Sequence, residues 1–205
     1  MKLRKRLLGP LLGLAALGVF AQAAAAEDAV QARWKVQEIK YSYVGFTTAY
    51  DCDSAEHKLK ALLTALGAHP DTRVNASGCF NNRPARSFFV TITAATPVPV
   101  ADFEESKADK SRQELLKRLG VKGSFPEGEF PASWQVVDIS KIRKLDIRPG
   151  DCELIEGLRD HVLPKLSVKI EEDRVRCTPN QLSIQPPQLR VLALTPMKSP
   201  DTPSE

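Results

Sequence analysis

Asp53 and His57 stand four residues apart, which on a helix places a carboxylate and an imidazole on one face at the spacing of two metal ligands. A third ligand has no candidate, so the pair reads more simply as an acid at a helix N-terminus beside a surface histidine. His161 is displaced by four from the position equivalent to His57 one hundred residues on, and His69-Pro70 reads as a turn. Nucleophile and cofactor motifs are missing: there is no G-x-S-x-G, H-E-x-x-H, phosphate-binding loop or glycine-rich dinucleotide turn. No catalytic residue, metal ligand or cofactor is assigned. Non-enzymatic binding is therefore the first expectation, with an enzyme of unrecognised class below it. The residues best suited to contact a ligand or partner are Tyr41, Tyr43, Phe46 and Tyr50, since tyrosines offer large contact area at low entropic cost. Their simpler role is to fill the core.

The four cysteines are better spent on bridges than on chemistry. Trp34 and Cys52 recur as Trp134 and Cys152, one hundred positions later, and Cys79 and Thr96-Pro97 recur as Cys177 and Thr195-Pro196 at nearly that offset. A period of this kind predicts a diverged tandem repeat. Of the three possible pairings, the repeat selects Cys52 with Cys79 and Cys152 with Cys177, each closing a loop of similar length within one copy. Such a loop stabilises by about 3–4 kcal/mol on the chain-entropy model.

The elements that position these residues follow from periodicity. WKVQEIKYSY (34–43) alternates, with Gln37, Ile39, Tyr41 and Tyr43 on one face, and predicts a half-buried strand. Asp51 or Asp53 caps a helix whose Ala55, Leu59, Leu62, Leu63 and Leu66 form one apolar stripe, stopped by Gly67. A short strand over 72–76 and a strong one over 87–94 complete a βαββ unit. The second copy repeats the order, with Pro164 expected to shorten or bend its helix and Pro186-Pro187 to split its last element. The fold class expected is α+β: two diverged βαββ repeats, each with one disulfide, forming a two-layer α/β sandwich or two abutting halves. The organisation read from the chain is a signal peptide over 1–26, a first repeat over 27–100, a helical insert and Gly/Pro-rich connection over 101–133, a second repeat over 134–197 and a disordered tail over 198–205. Phe125 and Phe130 of the connection are expected to dock on the core.

The first 26 residues combine a basic start, an apolar run and small residues at Ala24 and Ala26, the pattern of a secretory leader. Lys2, Arg4, Lys5 and Arg6 account for the whole formal charge of +4, so the mature chain is neutral and nucleic-acid binding is not expected. No later stretch approaches the roughly 20 apolar residues of a membrane span, so no membrane insertion is expected after cleavage. The periplasm is the expected compartment, with secretion as the alternative. YVGFTTAYDC, the amphipathic helix that follows and the later Gly78-Cys79 resemble a group of small uncharacterised exported proteobacterial proteins. The resemblance covers mainly the first copy; it implies export and a Cys52–Cys79 pair, and carries no activity. The partner expected is a protein of the cell envelope, held by an edge strand or by the aromatic loop. The alternative is a small-ligand or metal-binding periplasmic protein with a pocket between the repeats.

Overall fold

The computed structural model describes residues 29–105, 107–120, 123, 125–142 and 145–197. The leader and the tail read from the sequence lie outside those residues. In chain order the elements are β1 (Val30–Val44), α1 (Cys52–Ala65), β2 (Arg73–Ser77), β3 (Ser87–Pro99), α2 (Lys107–Leu119), β4 (Glu129–Asp138), α3 (Cys152–Gly157), β5 (Val168–Asp173) and β6 (Leu189–Pro196). The six strands form one antiparallel sheet in the order β2-β3-β1-β4-β6-β5. β1 is the inner strand of the first three and β4 of the last three. They meet over four residues only, Val30–Arg33 against Glu129–Ala132, with Gln31 opposite Pro131.

Alternation decides which side chains turn inward. Ile39, Tyr41 and Tyr43 of β1, opposite Ile92, Val90 and Phe88 of β3, share one face with Val191 and Ala193 of β6. α1 and α3 bury their apolar stripes on that face, and the result is one hydrophobic core running through both halves of the chain. A smaller cluster of Ala32, Ala132 and Leu194, with Phe130 and Trp134 against it, lies on the other face where β1 meets β4.

α1 begins as its sequence predicts: the Asp51 carboxylate accepts from the Ser54 N–H at 2.7 Å, and Ala55, Leu59, Leu62 and Leu63 are buried. Hydrogen bonds from the Ser54 backbone and side chain hold the Asp51 carboxyl below its usual range. Gly67 ends the helix at φ +89°, in the left-handed region, and a Cβ there would overlap the Leu194 carbonyl. Glycine is thus required twice, by the turn and by the approach of β6. α3 is short: the backbone widens to a π-turn over Leu158–Val162 and tightens to a 3₁₀ turn over Leu163–Lys165. Pro164 has no N–H to donate and its ring crowds the carbonyl four residues back, which is why a regular helix cannot continue through it.

The disulfides join Cys52 to Cys79 and Cys152 to Cys177, 27 and 25 residues apart in the chain. Each ties the start of a helix to the loop that follows the next strand. Two bridges are compatible with a periplasmic or extracellular location. Replacing Cys52 and Cys79 together by alanine should cost about 3.5 kcal/mol, the loop-entropy value for this separation. Urea unfolding of the oxidised and substituted chains checks it; equal midpoints would mean that the bridge constrains nothing the unfolded chain explores.

The start of β4, the end of β3 at Pro99 and the placing of the Thr-Pro pairs differ from those expected. β4 starts at Glu129, five residues before Trp134, because Phe130 and Ala132 continue its buried alternation. Pro131 is tolerated there since its carbonyl accepts from the Met197 N–H just beyond the end of β6, so its missing N–H faces the position past the last rung, Ala132 with Pro196, and breaks no bond inside the ladder. The two Thr-Pro pairs are not at matching positions: Thr96 lies opposite Lys35, whereas Thr195 lies opposite Ser133, two residues out of step relative to Trp34 and Trp134. A two-residue slip keeps every side chain on its face.

Candidate functional site

β1 pairs with β3 from Ala32 to Val44, but with β4 only as far as Arg33. From Trp34 onward, no strand among the described residues covers its second edge. The direction of the unpaired groups follows from the ladder. Because the Pro131 carbonyl points to the β6 side, Gln31 opposite it points its N–H and C=O away from β4, and the alternate residues point toward β4. The His69 N–H bond to the Ala95 carbonyl, 2.9 Å, agrees, since Ala95 sits opposite Val36 and faces away from β1. Trp34, Val36 and Glu38 therefore turn backbone donors and acceptors toward the open edge.

A cleft of about 670 Å³ lies there. Its floor is the consecutive run Arg33 to Glu38, whose side chains alternate between the sheet faces, so the strand's edge opens into it. One wall is Phe103 with Arg112 and Leu116 of α2; the other is the connection at Phe125–Gly128. Aromatic contacts shape both. Trp34 stacks on Phe130 with centroids 4.5 Å apart, His69 meets the Trp34 and Phe125 rings edge-on at 5.1 and 5.6 Å, and the Arg33 guanidinium lies 5.5 Å from the Phe103 centroid. Of the two phenylalanines of the connection, Phe130 docks on the smaller cluster as expected, whereas Phe125 belongs to neither cluster and meets the His69 ring at the side of the cleft. Acids and bases are interspersed along it: Arg33, Lys35 and Arg112 against Glu38, Glu105, Asp109 and Glu127. Arg112 pairs with Asp109 at 3.7 Å and Arg33 with Glu129 at 3.6 Å.

A second constellation lies at the helix starts. The Glu153 carboxylate accepts from the backbone N–H groups of Phe46, Thr47 and Thr48 at 2.9 to 3.3 Å, although the donors and acceptor are more than a hundred residues apart. Asp151, also buried, accepts from the Tyr50 hydroxyl, from the Lys58 ammonium at 2.6 Å and from the Arg148 N–H at 2.6 Å. These bonds satisfy two buried carboxylates, as burial of charge requires. They fasten the loop before α1 to the start of α3.

The four aromatic candidates are split by this arrangement. Tyr41, Tyr43 and Tyr50 are buried, Tyr41 stacked on His161 at 5.4 Å and Tyr43 on Phe88 at 4.6 Å, while Phe46 keeps half its surface in solvent. Burial raises the ionisation of all three phenols above the ordinary tyrosine value; the Asp151 hydrogen bond adds to this at Tyr50, and the nearby charges of Glu153 and Asp151 at Tyr43. The His57 Nδ1 lies 2.7 Å from the backbone carbonyl of Asp53. Among the described residues no three His, Cys, Asp or Glu side chains are arranged to hold a metal ion. The edge of β1 and the Asp151–Glu153 pair escaped sequence reasoning. Strand order determines the first, and the second carried only the faint signal of acids flanking a cysteine at a helix start. No family model matches the chain, and neither a curated protein nor a solved structure is significantly similar to it.

Proposed function

We propose that this is an exported periplasmic binding protein that holds an extended segment of an envelope polypeptide by strand addition to the open edge of β1. The observation that carries the reading is the unpaired run Trp34–Glu38 of an inner strand, opening into a cleft long enough for several residues of extended chain. Backbone groups at Trp34, Val36 and Glu38 supply affinity independent of sequence, and alternate side chains of the guest fall toward Trp34 and Phe125 on one side and toward Phe103 and α2 on the other. The interspersed charges suit a polypeptide more than a single anion or cation. We further infer that the chain is a diverged tandem βαββ repeat. The strand orders β2-β3-β1 and β5-β6-β4, the pairing of Gln31 with Pro131, and one disulfide per half support this. On this reading α2 and its connection, inserted between the copies, make the cleft one-sided.

The test separates backbone pairing from other contacts. Val36 lies in a position whose N–H faces the cleft and not β3, so Val36→Pro removes one guest-binding donor while leaving the β3 ladder its bonds. Peptides selected against the chain from a random library should bind wild type and Val36→Thr alike and lose about tenfold or more on Val36→Pro, the worth of about one hydrogen bond with its geometry. Slowed amide exchange at Trp34, Val36 and Glu38 should accompany binding. Peptides indifferent to Val36→Pro would overturn the reading. Binding of compact small molecules in place of peptides would also do so, in favour of the small-ligand alternative that a cavity of this size accommodates.

A further inference from the structure

An imidazole sits behind the cleft, between its floor and one of its walls. Among the described residues, the ring that Phe125 of that wall meets is His69, edge-on at 5.6 Å. The same imidazole meets Trp34 edge-on at 5.1 Å, and Trp34 begins the unpaired run of the floor. His69 thus seats the wall against the floor. Its backbone is fixed independently of the ring: the His69 N–H donates to the Ala95 carbonyl of β3, and the His69 carbonyl accepts from the Thr72 N–H, both at 2.9 Å. The ring itself is held through one atom. Nδ1 accepts a hydrogen bond from the Asp71 N–H at 3.2 Å, which requires a lone pair there and places the proton of the neutral ring on Nε2. Asp71 also supplies the charged group within ion-pair reach, its Oδ2 lying 3.6 Å from Nδ1. β1 and the connection face the ring with neutral side chains, Trp34 and Phe125. Arg33, Lys35 and Glu127 line the cleft on those same elements, but among the described residues none of them pairs with His69. The other two histidines of the chain lie elsewhere, His57 against the Asp53 carbonyl and His161 against Tyr41.

We infer, on the strand-addition reading, that His69 makes guest binding sensitive to pH: the neutral imidazole keeps the cleft set to receive a strand, and protonation releases it. Protonation places an N–H on Nδ1 opposite the Asp71 N–H, so the bond that holds the ring becomes an opposition of two donors. The imidazolium is drawn instead to the Asp71 carboxylate, and the turn that brings it there withdraws the ring from Trp34 and Phe125. With its seat gone, Phe125 no longer holds the wall beside the run Trp34–Glu38. A guest that needs the neutral form binds with an affinity reduced to the fraction of molecules that hold it. Affinity is therefore full in mild alkali and falls as pH drops through the range in which imidazoles gain a proton, from about pH 8 to about pH 5.

The experiment measures the affinity of the selected peptides at about pH 7.5 and about pH 5.5, together with the ring proton resonances of the chain without peptide. Wild type should bind about tenfold more weakly at the lower pH. His69→Asn, which keeps an acceptor near the place of Nδ1 but does not titrate, should bind equally at both, and so should His69→Phe, which keeps a ring without a titrating nitrogen. In the free chain the Trp34 and Phe125 ring protons should shift with the same midpoint as those of His69, and should hold still in His69→Asn. Peptides that lose affinity on Val36→Pro yet bind wild type equally at both pH values overturn the switch and leave strand addition standing. A pH dependence that persists in both His69 variants does the same, as do Trp34 and Phe125 resonances that stay fixed while His69 titrates. Peptides indifferent to Val36→Pro overturn strand addition, and the switch with it.

Discussion

Raising the pH should leave every phenol of this protein protonated until the fold gives way, and the two events should coincide. The chain has three tyrosines, Tyr41, Tyr43 and Tyr50, and all three are buried with ionisation raised above the ordinary value near 10. A group whose folded pKa lies above its unfolded one contributes stability that is complete below the unfolded pKa and is lost as pH rises toward the folded one. Above about pH 10 the unfolded chain releases three protons that the folded chain retains, so stability should fall by about 4 kcal/mol per pH unit. A domain of ordinary stability, about 5–15 kcal/mol, cannot withstand more than a few units of this. Tyrosinate absorbance and far-ultraviolet circular dichroism, followed together in an alkaline titration, should change in one cooperative step. Tyrosinate appearing near pH 10 with the dichroism intact would place at least one phenol in solvent and would remove it from the core described above.

Glu153→Ala should be among the most damaging single substitutions. The carboxylate satisfies three backbone N–H groups of the loop before α1, and without it those donors face a cavity where the acid stood. Loss of one partner from a buried charge-assisted set costs about 3–5 kcal/mol. In a chain of this length that is a drop of roughly 10 °C in thermal midpoint. Glu153→Gln, which keeps the shape and one acceptor oxygen, should fall between the two. Amide exchange at Phe46, Thr47 and Thr48 provides the local readout: these protons should exchange much faster in the alanine variant while those of β3 follow global stability. A loss under about 1 kcal/mol would mean that the loop is held by its disulfide and by the Tyr50–Asp151 bond alone.

Local order was legible in the residues, because each element depends on neighbours a few positions away. The Asp51 cap, the leucine stripe, the stop at Gly67 and the disruption at Pro164 all appear where periodicity and backbone chemistry put them, whereas Pro186-Pro187 splits no strand, since β6 begins after them at Leu189. The cysteine pairing was legible as well, through the spacing shared by Cys52, Cys79, Cys152 and Cys177. The start of β4 was not, since Gly and Pro on either side of Phe130 imitate a loop and only the neighbouring β1 and β6 make a strand of it.

The candidate sites divide along the same line. Tyr41, Tyr43, Phe46 and Tyr50 are contiguous in the chain, yet three enter the core and one stays outside, because strand alternation and the turn at Gly45 send them in different directions. Composition and spacing determined by themselves the helices and the bridges, which are properties of short segments and of shared spacing. Tertiary structure alone decided that β1 outruns β4 and leaves an edge open, and that Glu153 closes on a loop from the far half of the chain. Each of these depends on which distant segments become neighbours, a choice made by the burial of one shared core and written in no single stretch of residues.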